Sequence, residues 1–194
     1  MGYSQQTSEP YDKNHPFTCT RSGYDEPGLV NFNKNSRMIA VMSQEEIEEV
    51  LRLQVIGRIG CHSNSVTYIV PISYAYDGHS IFAHTVEGMK MGMMRKNSNV
   101  CFEVDVLENT ERWKSVICWG TFKELIDPEE RKEALIKLHK RAMSKSISAT
   151  ARLSDSWPFL PRDVNSIEGV VFRIQLHKKT GKFENNSFVS FNPR

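Results

Sequence analysis

The chain has 194 residues, with 25 Lys and Arg against 23 Asp and Glu, a formal net charge of +2. That length fits one domain with a sizeable core, and the balanced charge excludes the strongly basic footprint of a nucleic-acid binder. No run nears the roughly 18 apolar residues of a membrane span, the start MGYSQQTSEP has no apolar signal stretch, and four scattered cysteines argue against a disulfide framework. A cytoplasmic protein without membrane or nucleic-acid partners is expected.

Residues 1–36 carry Pro10, Pro16, Pro27, Gly23 and Gly28 among many polar residues, with no periodicity. They read as an irregular arm and give the modest apolar fraction of 39% a location. The domain then spans 37–185, with a tail over 186–194. Ser43-Gln44-Glu45-Glu46 is a capping box, and Ile47, Val50 and Leu51 follow at helical spacing, so a helix over 43–53 is predicted. Val55–Cys61 is a short strand pattern. Residues 66–76 alternate as a longer strand, in which Pro71 lacks an N–H and must sit at an edge or a ladder break. Asp77-Gly78 is the expected type I′ turn, leading into a strand over His79–Thr85. A Met-rich helix over Glu87–Asn97 carries Lys90 in its first turn.

Two more strands are expected at Asn99–Val106 and Trp113–Leu125, separated by a polar stretch. Asp127 caps and Pro128 opens a helix running to about Met143. Residues 144–156 read as a loop or fraying helix, and the wider stretch 144–162 as a lid or an interface loop. Ile167–His177 is the last strand. Six strands without βαβ alternation predict a mainly β, antiparallel barrel or sandwich with flanking helices.

The chain has no GxGxxG, GxxxxGK[ST], HExxH or GxSxG motif, and no tight metal-ligand spacing. It has instead an ordered compound pattern. Val70-Pro71-Ile72-Ser73-Tyr74 precedes the Asp-Gly turn; Ile81-Phe82-Ala83-His84-Thr85 follows; then come Gly88-Met89-Lys90, Val100–Val104, Trp113–Gly120 and Thr180-Gly181-Lys182. In this the sequence resembles the pyridoxamine 5′-phosphate oxidase-like, FMN-binding split β-barrel proteins, nearest their nitroimidazole-resistance branch, over about 38–185.

The resemblance implies a six-stranded antiparallel split barrel. It also implies a homodimer with FMN between the subunits, FAD also fitting if the cleft opens beyond the phosphate. Val70, Pro71, Ile72, Ser73 and Tyr74 would offer backbone groups to the flavin ring, with Ile72, Tyr74 or Trp119 as its walls. His84 would lie beside the flavin, the candidate catalytic residue and proton donor. Lys90 at a helix start, with the hydroxyls of Thr85 and Ser115, would hold the phosphate. Met89 stands where pyridoxamine phosphate oxidase has a basic residue, and the tail FENNSFVSFNPR lacks that enzyme's Arg-rich segment, so vitamin B6 oxidation is not expected. The expected activity is a flavin-dependent oxidoreductase acting on a small electron acceptor, such as a nitroimidazole. The alternatives are a non-catalytic flavin- or haem-binding protein and a cofactor-free interaction protein.

Overall fold

The computed structural model describes residues 39–143 and 161–185. The arm 1–36, the tail 186–194 and all but the last two residues of 144–162 lie outside the described residues. Eight successive elements form the first part: β1 (Ala40–Val41), α1 (Gln44–Leu53), β2 (Ile56–Ser63), β3 (Val66–Tyr76), β4 (Ser80–Thr85), α2 (Met89–Lys96), β5 (Asn99–Asn109) and β6 (Arg112–Glu124). They are followed by α3 (Pro128–Met143), a short 3₁₀ turn (Val164–Ser166) and β7 (Val170–Asn185). The sheet order is β1-β7-β4-β3-β2-β5-β6, and β6 also pairs with β7. That last pairing closes six antiparallel strands into a ring, with β1 added on β7. The expected barrel is therefore present, with a seventh, two-residue strand too short for any sequence periodicity.

Local chemistry explains the helices. Ser43 Oγ accepts from Glu46 N–H at 3.3 Å while Glu46 accepts from Ser43 N–H at 2.8 Å, so both orphan donors at the start of α1 are satisfied. Asp127 Oδ1 accepts from the N–H groups of Glu129 and Glu130 at the start of α3. α1 buries Ile47, Val50 and Leu51 into the main core. That core also holds Ile59, Tyr74, Ile81, Phe102, Phe172 and the α2 methionines Met91, Met93 and Met94. α3 packs on a second cluster, where Leu135 and Leu138 meet Phe82, Ala75 and Val171.

Two turns differ from expectation. The type I′ turn joins β2 to β3 instead: Asn64 and Ser65 both have positive φ, +52° and +62°. At the β3–β4 turn only Gly78 does, at +102°, and the Asp77 carboxylate accepts from the N–H groups of His79 and Ser80. The polar stretch between β5 and β6 is a tight hairpin, with Asn109 paired to Arg112. β7 continues to Asn185, so Thr180-Gly181-Lys182 lies within the last strand rather than after it. A bulge opposite Trp119/Gly120 explains why periodicity hid this. Phe172 and Ile174 are buried before it and Gly181 after it, so the inward positions change parity near His177.

Candidate functional site

The barrel is split between β3 and β4. These strands pair only at Tyr74–Ala83, Ala75–Phe82 and Tyr76–Ile81. One more step would set Ser73 opposite His84, and a second Ile72 opposite Thr85, but there the strands have parted. β3 continues past the split with β2 alone, Pro71 opposite Arg58 and Ile72 opposite Gly57. Along 66–73 its other edge is thus unpaired by any described strand, and Pro71, with no N–H to give, sits within that stretch. Tyr74 N–H bonds Val55 O on the β2 side, so Ile72 and Val70, at the same parity, also turn their backbone groups to β2. The Ser73 N–H and C=O and the Pro71 C=O are the groups available there to an outside partner. The side chains are placed differently. Tyr74 is buried, packs edge-on to Phe102 with centroids 4.9 Å apart, and donates its hydroxyl to Leu51 O at 2.9 Å. Ile72 is also buried. The Ile72 and Tyr74 side chains, expected as cleft walls, face the core instead.

His84 lies next to the end of β4, paired with β7 opposite Val171, and Thr85 follows opposite Val170. Its Nε2 lies 2.6 Å from Glu168 O. A carbonyl only accepts, so Nε2 carries the proton and Nδ1 is the bare nitrogen of the neutral ring. Nδ1 has no partner among the described residues, and it is not a sealed, unsatisfied atom. Burial pushes the imidazole below its ordinary pKa; the Glu168 carbonyl opposes this and the Arg131 guanidinium adds to it. The neighbouring Gly169 is required here. Its φ is +95°, and a Cβ would stand 2.7 Å from Thr85 O and 2.8 Å from His84 Nε2.

Thr85 closes β4, and α2 begins four residues later. Gly88, at the N-cap, gives no side-chain hydrogen bond, so first-turn N–H groups lack a cap. Lys90 is half-buried in that turn and has no ion pair or hydrogen bond among the described residues. It lies close enough to β2 to lower the Cys61 thiol pKa against the larger upward push of burial. An unpaired cation at a helix N-terminus is disfavoured by the helix dipole unless an anion joins it.

Ser115 stands apart. It is on β6, three strands from β3 in the sheet order, a separation of about 14 Å at normal strand spacing. Its hydroxyl donates to Glu103 at 3.3 Å, with Asp105 as its strand partner. Arg58 pairs with both carboxylates, at 3.0 and 2.6 Å. A cavity of about 710 Å³ lies beside this group on the barrel exterior, lined by Gly60, His62, Ile69, Cys101, Trp119 and His177 among others. Of the cofactor contacts and ring walls expected from the sequence, Trp119 alone lines it. Among the described residues no group of three or more His, Cys, Asp or Glu could hold a metal ion, and no helix is long and apolar enough to cross a membrane. Sequence reasoning did not find Arg131 or Gly169: each lies far along the chain from His84, and no local pattern marks either.

Comparison with known proteins agrees with this architecture. A structure described as a FAD-binding protein from Mesorhizobium loti matches with a TM-score of 0.57 at 27% identity, covering 76% of this chain and 99% of that one. A candidate 5-nitroimidazole antibiotic resistance protein from Bacteroides thetaiotaomicron matches at 0.59 and 20% identity, covering 82% and 96%. A FAD-binding protein from Mycobacterium smegmatis matches at 0.52 and 24% identity, covering 76% and 100%. An uncharacterized Rhizobium meliloti protein is 33% identical over 87 residues, which are 45% of this chain and 58% of that protein. The profile of the pyridoxamine 5′-phosphate oxidase family matches residues 43–183. The chain belongs to the pyridoxamine 5′-phosphate oxidase family and carries its split β-barrel.

Proposed function

We propose that this protein binds a flavin at the parted ends of β3 and β4 and works as a flavin-dependent oxidoreductase on a small acceptor. The observation that carries this reading is Lys90. It is a half-buried cation with no ion pair among the described residues, placed in the uncapped first turn of α2. A phosphate there satisfies the free N–H groups and the ammonium together. The unpaired edge of β3 at residues 70–73 fits the hydrogen-bonding rim of a flavin ring, and His84 offers one open nitrogen beside it. FMN satisfies these contacts. FAD is accepted if its second phosphate and adenosine extend into solvent, and two similar structures are described as FAD-binding.

The flavin supplies the electron transfer when bound. The chain's own residues bind and orient it: Lys90 and Thr85 at the phosphate, the β3 backbone at the ring, His84 at the substrate side. Ser115 lies on β6, three strands from β3, with its hydroxyl on Glu103. In a homodimer with the flavin between subunits it would serve the second site.

The test is anaerobic turnover of NADH or NADPH with a nitroimidazole by the flavin-loaded chain. The reading predicts donor consumption that needs both chain and acceptor. Reduced flavin that stays on the chain and is not reoxidised by any acceptor would make the protein a flavin carrier.

A further inference from the structure

Three successive carbonyls around Gly169 are held from two directions. Arg131, in the first turns of α3, donates through Nη1 to Gly169 O at 3.3 Å and through Nη2 to Ile167 O. Between them Glu168 O accepts from His84 Nε2. The segment before β7 is thus gripped by a planar guanidinium at its two outer carbonyls, and its central carbonyl is presented to the imidazole. The match is geometric: the five donors of a guanidinium lie in a rigid fork, which one flexible ammonium cannot copy. Gly169, at φ +95°, lets the chain turn tightly enough for Glu168 O and His84 to meet. α3 itself is anchored by the Asp127 cap and by the buried contacts of Leu135 and Leu138, so Arg131 is held on a rigid element.

The geometry points to Arg131 as the positioning residue that fixes His84 with Nε2 protonated and Nδ1 bare. This inference rests on the flavin-site reading and deepens it by naming the ligand chemistry His84 can meet. A bare Nδ1 accepts a hydrogen bond and offers none. The ligand or substrate atom that meets it must carry a proton, as N–H or O–H, and an anionic oxygen is refused at that point. His84 as an initial proton donor, the role the sequence suggests, would require a second proton on the ring. Burial and the Arg131 charge, the charged group acting on His84 among the described residues, both oppose that protonation.

The test is ¹⁵N–¹H correlation spectroscopy of the histidine rings in the purified full-length chain, with His84 assigned by its loss in H84Q. The expected result is a bare Nδ1 and an Nε2 proton that exchanges slowly with water. In Arg131→Gln the slow exchange is lost and the ring shifts toward the tautomer mixture of free imidazole. Arg131→Lys, which keeps the charge and can reach one carbonyl, falls between the two and serves if the Gln variant does not fold. A proton on Nδ1 in the wild-type chain overturns the inference. So does an unchanged, slowly exchanging Nε2 proton in a folded Arg131 variant. The tautomer is read on the flavin-free chain, so failure of flavin binding sinks the proposed function and the ligand chemistry drawn from it, whereas the histidine spectrum alone decides the hold of Arg131 on His84.

Discussion

At the scale of single residues, the proposed site rests on His84 and Lys90. The folded pKa of His84 lies below its ordinary value, so on acidification the unfolded chain takes up this proton first. Stability rises with pH wherever the unfolded state binds more protons, so this histidine costs the fold stability as pH falls through the ordinary imidazole range. Thermal melts from about pH 7.5 to about pH 5.5 should show a flatter pH slope in His84→Gln than in the wild type. Equal slopes would mean that the ring is not disfavoured as a cation. Lys90 has no ionic partner to lose, so Lys90→Ala should leave the melting temperature nearly unchanged. Gly169→Ala acts on His84 from the other side. Positive φ and a Cβ 2.8 Å from Nε2 should cost about 1–3 kcal/mol, read as a shifted denaturation midpoint. A neutral outcome would mean the 167–169 segment has room to move.

At the scale of elements, much was legible because local chemistry and packing agree. The Ser43/Glu46 box, the Asp127-Pro128 start and the alternation in β3 and β4 each specify an element without tertiary help. What was not legible depended on distant partners. Asn64-Ser65 takes positive φ at both positions because the strand pairing Ser63–Val66 demands a two-residue connection; neither residue carries the Gly that would announce it. The far half of β7 was hidden by its bulge. Thr180-Gly181-Lys182 stands out in the sequence, and in the fold its glycine is where α1 crosses β7. A Cβ at Gly181 would lie 2.6 Å from Met42 Sδ and 2.8 Å from Ile47 Cγ1. Gly181→Val should therefore destabilise the protein by about 1–3 kcal/mol through overpacking, measured by urea denaturation. Pro71 falls on an unpaired strand edge, one of the two placements that its missing N–H allows, whereas the inward direction of Tyr74 depends on the α1 carbonyl that its hydroxyl meets.

At the scale of the whole molecule, six strands closed through β6–β7 make a barrel, and the proposed flavin site is at one seam of it. β3 and β4 pair for three residues and then part, and α2, which follows β4, brings a cation and free N–H groups to the same end of the chain path. Ser115 lies on β6, three strands from β3 in the sheet order, and a second subunit would be needed to bring it to a flavin at that seam. Sedimentation of the full chain should give twice the monomer mass; a monomer that still binds flavin would remove Ser115 from the site. The most direct test is a fluorescence titration of the flavin-stripped full chain with FMN, in the wild type and in Lys90→Ala. The account predicts saturable, one-to-one binding by the wild type, weakened about 10–100-fold in the variant, the size of a lost charge-assisted hydrogen bond. A wild-type chain that takes up neither FMN nor FAD, or a variant that binds as tightly, would contradict it.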